Sequence, residues 1–252
     1  MTNPGIRLVD VYRRFGAQEV LRGVTLEVPI GQVTVVIGRS GTGKSVLLKH
    51  VMGLLHPDAG HIEIKGQDIT RLGQHDLRAL RARFGMVFQN AALFDSMDVY
   101  DNVAFPLREH TRIKEKEIRE RVHAMLDAVG LAGSDHKMPN ELSGGMRKRV
   151  GLARAMVRGP EFLLYDEPTT GLDPIMTAQI DQLIRATQDA NPGLTSLVIS
   201  HDMHATFQIA DKIAMLHEGR VVLEGDADVF HHTADPLVRQ FVEGRLEGPI
   251  AT

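Results

Sequence analysis

An α/β fold around a largely parallel sheet is what the sequence predicts, on two observations. Short apolar runs rich in Val, Ile and Leu alternate along the chain with helical patterns, the order that parallel strands joined by crossover helices require. Three of those runs are nearly continuous, at Val33–Ile37 (VTVVI), 162–165 (FLLY) and 197–200 (LVIS), as expected of strands covered on both faces. The remaining elements follow in chain order. Residues 6–11 and 20–28 alternate in a way that suits an antiparallel edge ahead of the first buried strand. A helical pattern covers residues 44–55. Residues 114–130 place Ile118, Val122, Met125, Leu126 and Val129 on one helical face, with Gly130 as the C-cap. Asp173 and Pro174 read as an N-cap and first-turn proline, opening a helix that presents Ile175, Ile180, Leu183 and Ile184. Residues 90–158 carry helical patterns and no good strand, which predicts a helical lobe inserted into the sheet domain.

The 252 residues suit one large α/β domain or two small ones. With 29 Lys and Arg against 32 Asp and Glu, the formal charge is −3, which argues against nucleic acid as the main partner. The absence of Cys excludes disulfides, thiolate zinc sites, cysteine nucleophiles and cysteine-ligated clusters. The start MTNPGIRLVD has no basic segment leading into an apolar run, so no secretory signal is expected. No apolar stretch reaches membrane-spanning length. Composition therefore points to a soluble cytoplasmic protein that needs another chain to hold it at any membrane.

The chemistry concentrates where the buried runs end. Gly38, Arg39, Ser40, Gly41, Thr42, Gly43, Lys44 and Ser45 match G-x-x-x-x-G-K-[ST]. Such glycines let main-chain N–H groups turn around phosphate oxygens, and the helix that follows adds its positive end. Lys44 can reach the β- and γ-phosphates of a nucleotide, and the Ser45 hydroxyl can ligate Mg²⁺. The second buried run ends in Asp166 and Glu167; Asp166 would hold Mg²⁺ through water, and Glu167 would polarise the water attacking the γ-phosphate. The third ends in His201, whose neutral imidazole could hydrogen-bond the γ-phosphate and orient that water. Leu142, Ser143, Gly144, Gly145 and Met146 open a further helix, with Ser143 as N-cap and two glycines for close backbone approach. Read functionally, that start meets a phosphate on a nucleotide held by a second copy of the protein.

Together these residues resemble the ATPase subunits of ATP-binding-cassette (ABC) transporters. The resemblance rests on the LSGGM segment, the phosphate loop, Asp166 and Glu167, the run Thr170-Gly171-Leu172-Asp173, Gln89 and His201, and covers nearly the whole chain. It implies a P-loop NTPase core of about residues 1–89 and 159–230, with an N-terminal antiparallel β subdomain. A helical subdomain of about 90–158 and a C-terminal tail of about 231–252 would complete a single ABC ATPase domain. It also implies a homodimer or pseudo-dimer closed head to tail over two ATP molecules. Ser143, Gly144, Gly145 and Asp173 would then act in trans. In the family an aromatic residue near the N-terminus stacks on adenine; Phe15 fits, with Tyr12 the nearby competitor. Gln89 would be a catalytic residue beside Glu167 and His201, at the γ-phosphate, and a Mg²⁺ ligand beside Ser45 and Asp166. Met146 and Arg39 stand where the family more often has Gln and Pro, and neither removes a catalytic group.

A narrower resemblance, to the ATPases of Mla/Mce-type phospholipid transporters, rests on residues 92–99 and 101–111, on Lys137-Met138-Pro139-Asn140-Glu141, and on residues 236–244. It implies an integral membrane permease docked at Ala91, Leu93 and Phe94. It further implies a Mce-type lipid-binding protein and an accessory cytoplasmic subunit as partners. The chain would then work on the cytoplasmic side of the inner membrane. The alternatives are an importer ATPase for another small solute, and a non-transport ABC ATPase acting on DNA or ribosomes. DNA-directed members insert long coiled coils after the Gln89 region, whereas here Ser143 lies only 54 residues beyond Gln89.

Overall fold

The computed structural model of the protein describes residues 4–250. The chain forms two compact units, one from the residues up to Arg81 together with those from Thr195 onward, the other from Ala82–Leu194.

In the first unit, β1 (Pro4–Phe15) and β2 (Gln18–Pro29) form an antiparallel hairpin. Ile6, Leu8 and Val11 oppose Val28, Leu26 and Val24, so the alternation in the sequence becomes one buried face. Next come β3 (Val33–Ile37), buried along its whole length, and α1 (Lys44–Val51). β4 (Ala59–Ile64) and β5 (Gln67–Asp68) complete a four-stranded antiparallel sheet in the order β2-β1-β4-β5. α2 (Gln74–Arg81) closes this segment, and the Arg81 guanidinium donates to the carbonyls of Met52 and Gly53 just past α1.

The second unit is continuous in sequence. It holds β6 (Phe84–Val87), α3 (Val99–His110), α4 (Glu115–Ala128), a 3₁₀ turn at Pro139–Glu141, α5 (Gly144–Met156), β7 (Phe162–Asp166) and α6 (Pro174–Ala190). β6 and β7 run parallel in the register Phe84↔Phe162 to Val87↔Tyr165. The stripe on α4 is buried at Ile118, Val122 and Leu126, and Gly130 takes the left-handed φ of +69° expected after a helix end. Asp173 caps α6 by accepting from the N–H groups of Ile175 and Met176. One expectation is corrected. Ile175 does not share a face with Ile180 and Ile184 but is 73% exposed; at 3.6 residues per turn it points about 140° away from Ile180.

Back in the first unit, β8 (Thr195–Ser200), α7 (Met203–Ile209), β9 (Lys212–His217), β10 (Arg220–Gly225), α8 (Ala227–His232) and α9 (Pro236–Glu243) complete the chain. β3 lies between β8 and β9, parallel to both, and β10 pairs antiparallel with β9. The fold is thus α/β, with one antiparallel sheet and a mostly parallel set of strands, as the sequence predicts. Among the described residues no helix is long and apolar enough to cross a membrane.

Candidate nucleotide site

In the first unit the ends of two parallel strands set the site. Ile37 at the end of β3 pairs with Ser200 at the end of β8, so Gly38 and His201 leave neighbouring strands on the same side. Gly38 has φ +152°, and a Cβ there would stand 2.3 Å from the Leu216 carbonyl oxygen of β9; only glycine lets the chain turn that close to the sheet. Gly43 precedes α1 with φ +102° and is packed against Val20 and Leu21 of β2. Lys44 is buried, and its ammonium donates to the carbonyls of Gly38 (2.7 Å) and Arg39 (2.9 Å). The loop therefore closes around its own lysine. Thr42 adds a bond from Oγ1 to the Arg39 carbonyl at 2.9 Å. Arg39, Ser40, Gly41 and Ser45 are exposed along this loop, as is His201.

A cavity of about 360 Å³ beside the loop is lined by Gln18, Glu19, Arg39, Ser40, Thr42 and Glu218 among others. Gln18 pairs across the hairpin with Phe15. Phe15 is 43% exposed and carries the Arg13 guanidinium 4.8 Å above one ring face. Tyr12 lies over Gly23, its hydroxyl oxygen only 2.8 Å from where a Cβ would be. The two aromatics thus differ: Tyr12 is spread on β2, and Phe15 stands at the hairpin tip.

In the second unit the register of β6 with β7 does the same work. Val87 pairs with Tyr165, so Phe88-Gln89 and Asp166-Glu167 leave adjacent strands at the same end. Glu167 has a left-handed φ of +48°, a conformation that a non-glycine residue adopts at a cost of about 1 kcal/mol or more. Its Oε2 accepts from the Thr170 hydroxyl at 3.0 Å. The helix α5 starts beside the run 170–173: Ser143 Oγ accepts from the Met146 N–H, Gly144 faces Leu172, and Gly145 leaves no room beneath Met176 for a Cβ. Gln89, Asn90, Gly144, Lys148, Thr170 and Gly171 line one cavity of about 340 Å³. Of the three residues expected to dock a permease, Phe94 is 41% exposed and Leu93 half-buried, but Ala91 is 1% exposed. Ala91 packs on Gly151 of α5, with a Cβ there reaching within 3.3 Å, so its side chain is not available to a partner.

Lys148 escaped the sequence reading, and Thr170 entered it only as part of the run 170–173, with no role of its own. Lys148 is buried on α5 and donates to the main-chain carbonyl of Gln89. Burial pushes its ammonium below the usual lysine pKa, and the Glu167 carboxylate opposes that shift. Thr170 holds Glu167, as described above. A signal for Lys148 was present: it falls on the face defined by Gly145, Leu152 and Met156, where the helical period calls for an apolar side chain.

A glycine-rich loop between a buried parallel strand and a helix, with a lysine at the helix start and carboxylates at a further strand end, defines a P-loop nucleoside triphosphatase. The chain belongs to the ABC transporter family, whose pattern residues 21–170 match, and it is an ATP-binding, ATP-hydrolysing cassette of that family. It is 46% identical over 245 residues to the probable ribonucleotide transport ATP-binding protein mkl of Mycobacterium leprae, covering 97% of this chain and 70% of that protein. It is 43% identical over 235 residues to the intermembrane phospholipid transport system ATP-binding protein MlaF of Haemophilus influenzae, covering 93% of this chain and 89% of that one. The dimeric post-hydrolysis state of the ATP-binding cassette MJ0796, bound to ADP and Pi, superposes with a TM-score of 0.79 at 29% identity, over 88% of this chain and 98% of that one.

Proposed function

We propose that the chain is the ATPase subunit of an Mla/Mce-type phospholipid transporter, working as a single ABC ATPase domain in a head-to-tail homodimer at the inner membrane. The observation that carries the lipid reading is the 43% and 40% identity, over 93% and 96% of this chain, to two ATP-binding proteins of intermembrane phospholipid transport systems. The dimer is supported by the paired state of the MJ0796 cassette. A second reading, transport of ribonucleotides, is favoured by the 46% identity to mkl.

In the proposed cycle Lys44 exchanges its loop carbonyls for the β- and γ-phosphate oxygens of ATP, and Phe15 stacks on the adenine. Loop residues 38–43 supply N–H donors. Ser45, Gln89 and Asp166 offer a hydroxyl, an amide carbonyl and a carboxylate, hard oxygen donors of the kind Mg²⁺ takes. Mg²⁺ held by these residues would supply charge neutralisation at the phosphates. Glu167 polarises the attacking water and His201 orients it, so that the γ-phosphoryl passes to water and ADP leaves. Ser143, Gly144, Gly145 and Asp173 serve the nucleotide of the partner copy. Leu93 and Phe94 offer the permease its apolar landing site.

Two measurements test the proposal. Glu167→Gln is expected to keep ATP affinity and lose roughly 10²-fold or more in kcat; a parent-like rate removes Glu167 from the chemistry. The same variant, tagged and purified from membranes with its partners, should bring phospholipid with the complex. Recovery of ribonucleotide instead would replace the lipid reading with the mkl-like one.

A further inference from the structure

The segment between Gln89 and Phe94 is held in an uphill conformation, chiefly by side chains of α5. Ala91 and Ala92 both have left-handed φ, +58° and +48°, which non-glycine residues avoid. Two cations of α5 reach that segment. Lys148 donates to the Gln89 carbonyl. Arg154 donates through Nη2 to the Ala91 carbonyl and through Nη1 to the Ala92 carbonyl, each at 2.7 Å. Its guanidinium carbon also lies 5.9 Å from the centre of the Phe94 ring. Gly151, between the two cations on α5, lets the helix approach Ala91 closely. The far side of the segment is tied by Asn102, which accepts from the Phe94 N–H at 2.8 Å and donates to the carbonyls of Phe94, Met97 and Asp98. Both α5 cations are desolvated, and burial lowers the pKa of each. Charge set on main-chain carbonyls in partly dry surroundings makes strong, directional bonds.

We propose that Lys148 and Arg154 are positioning residues for ATP turnover. They lock the main chain of residues 89–92 to α5, so that Gln89, Phe94 and the helix start at residues 143–145 move as one body. The proposal rests on the proposed function above, in which Gln89 acts at the γ-phosphate as a Mg²⁺ ligand. A shift of α5, as when residues 143–145 engage nucleotide, then passes directly to Gln89 and to the exposed Phe94. Without the two cations the turn at Ala91 and Ala92 relaxes, and the Gln89 side chain samples positions that bind ATP but do not support its hydrolysis.

The test uses the full-length chain with Lys148→Met, Arg154→Met, Lys148→Arg, Arg154→Lys and Gln89→Ala. Each Met variant is expected to lose roughly tenfold or more in kcat with KM for ATP within about twofold of the parent. Amide hydrogen exchange should quicken over residues 88–98 and stay unchanged in β7. Lys148→Arg, which keeps a cationic donor, should recover most of kcat. Parent-like kcat and exchange in the Met variants overturn the proposal, as does a general rise in exchange that includes β7. Should a Met variant fail to fold, Arg154→Lys takes its place: it has to show the same direction with smaller size, and parent-like values there also overturn the proposal. Gln89→Ala separates the two ideas. If it turns over ATP at the parent rate, the γ-phosphate reading has failed, and the lock stands or falls on exchange over residues 88–98 alone.

Discussion

Gly38 shows how much one position can be constrained. Its φ of +152° and the Leu216 carbonyl 2.3 Å from any Cβ leave an alanine no escape, because the obstacle is backbone of the adjacent strand. Gly38→Ala should therefore lower stability by about 2–4 kcal/mol and abolish ATP binding. Gly41→Ala, with φ +83° but nothing within 4 Å of its Cβ, should cost only about 1 kcal/mol. Urea midpoints of the two variants check the contrast, and equal shifts would show that φ alone decides. The same scale explains what could be read in advance. Residues 38–45 are consecutive, and their spacing alone names a phosphate loop. Lys148 and Thr170 act through a carbonyl and a carboxylate 59 and three residues away, and only the fold creates those pairings. Ala91, expected on the surface, is inside because Gly151 makes room for it.

Among the elements, α1 carries a pH-sensitive group that no site role explains. His50 is fully buried in its last turn, with Nδ1 2.8 Å from the Val46 carbonyl. Burial pushes its pKa below the usual histidine value; Arg13 acts in the same direction, and Asp58 opposes it. Below about pH 6.5 the unfolded chain binds a proton that folded His50 resists, so stability is lost as pH falls through that value. His50→Leu, which leaves the Val46 carbonyl its helical N–H donor, should flatten that slope by up to about 1.4 kcal/mol per pH unit. Urea midpoints between pH 7 and 5 decide, and an unchanged slope would place the acid sensitivity elsewhere. The strands divide along similar physical lines. β3, β7 and β8 were legible because both faces are covered and each contains a nearly continuous apolar run. β6 (FGMV) and β9 (KIAMLH) were not, because Gly, Ala and Met carry little strand preference; their neighbours in the sheet fix them. Helix starts were read at Ser143 and Asp173, but the Asp caps at 98, 202, 226 and 235 went unread, and the face of α6 was misjudged at Ile175.

For the whole molecule, the proposed pairing of two copies makes a claim that neither unit can make alone. A Ser143→Arg chain should bind ATP through its own phosphate loop yet spoil the site on its partner, and a Lys44→Ala chain should do the reverse. Each alone should be nearly inactive. Mixed, they form pairs with one undamaged composite site, and ATP turnover should partly recover. Full activity of Ser143→Arg by itself would end the trans assignment. Chain order has a further consequence, for synthesis. β3 pairs with β8 and β9, Val33 lying opposite Ser196 and Thr34 opposite Lys212. At ribosomal speeds of roughly 5–20 residues per second, β3 waits some 8–30 s for its first neighbour to be made. Throughout that interval a largely apolar strand has no sheet, while residues 82–194 emerge with their own strand pair and helices in unbroken order. A nascent chain halted before residue 195 is thus the form of this protein most exposed to aggregation and in greatest need of a chaperone.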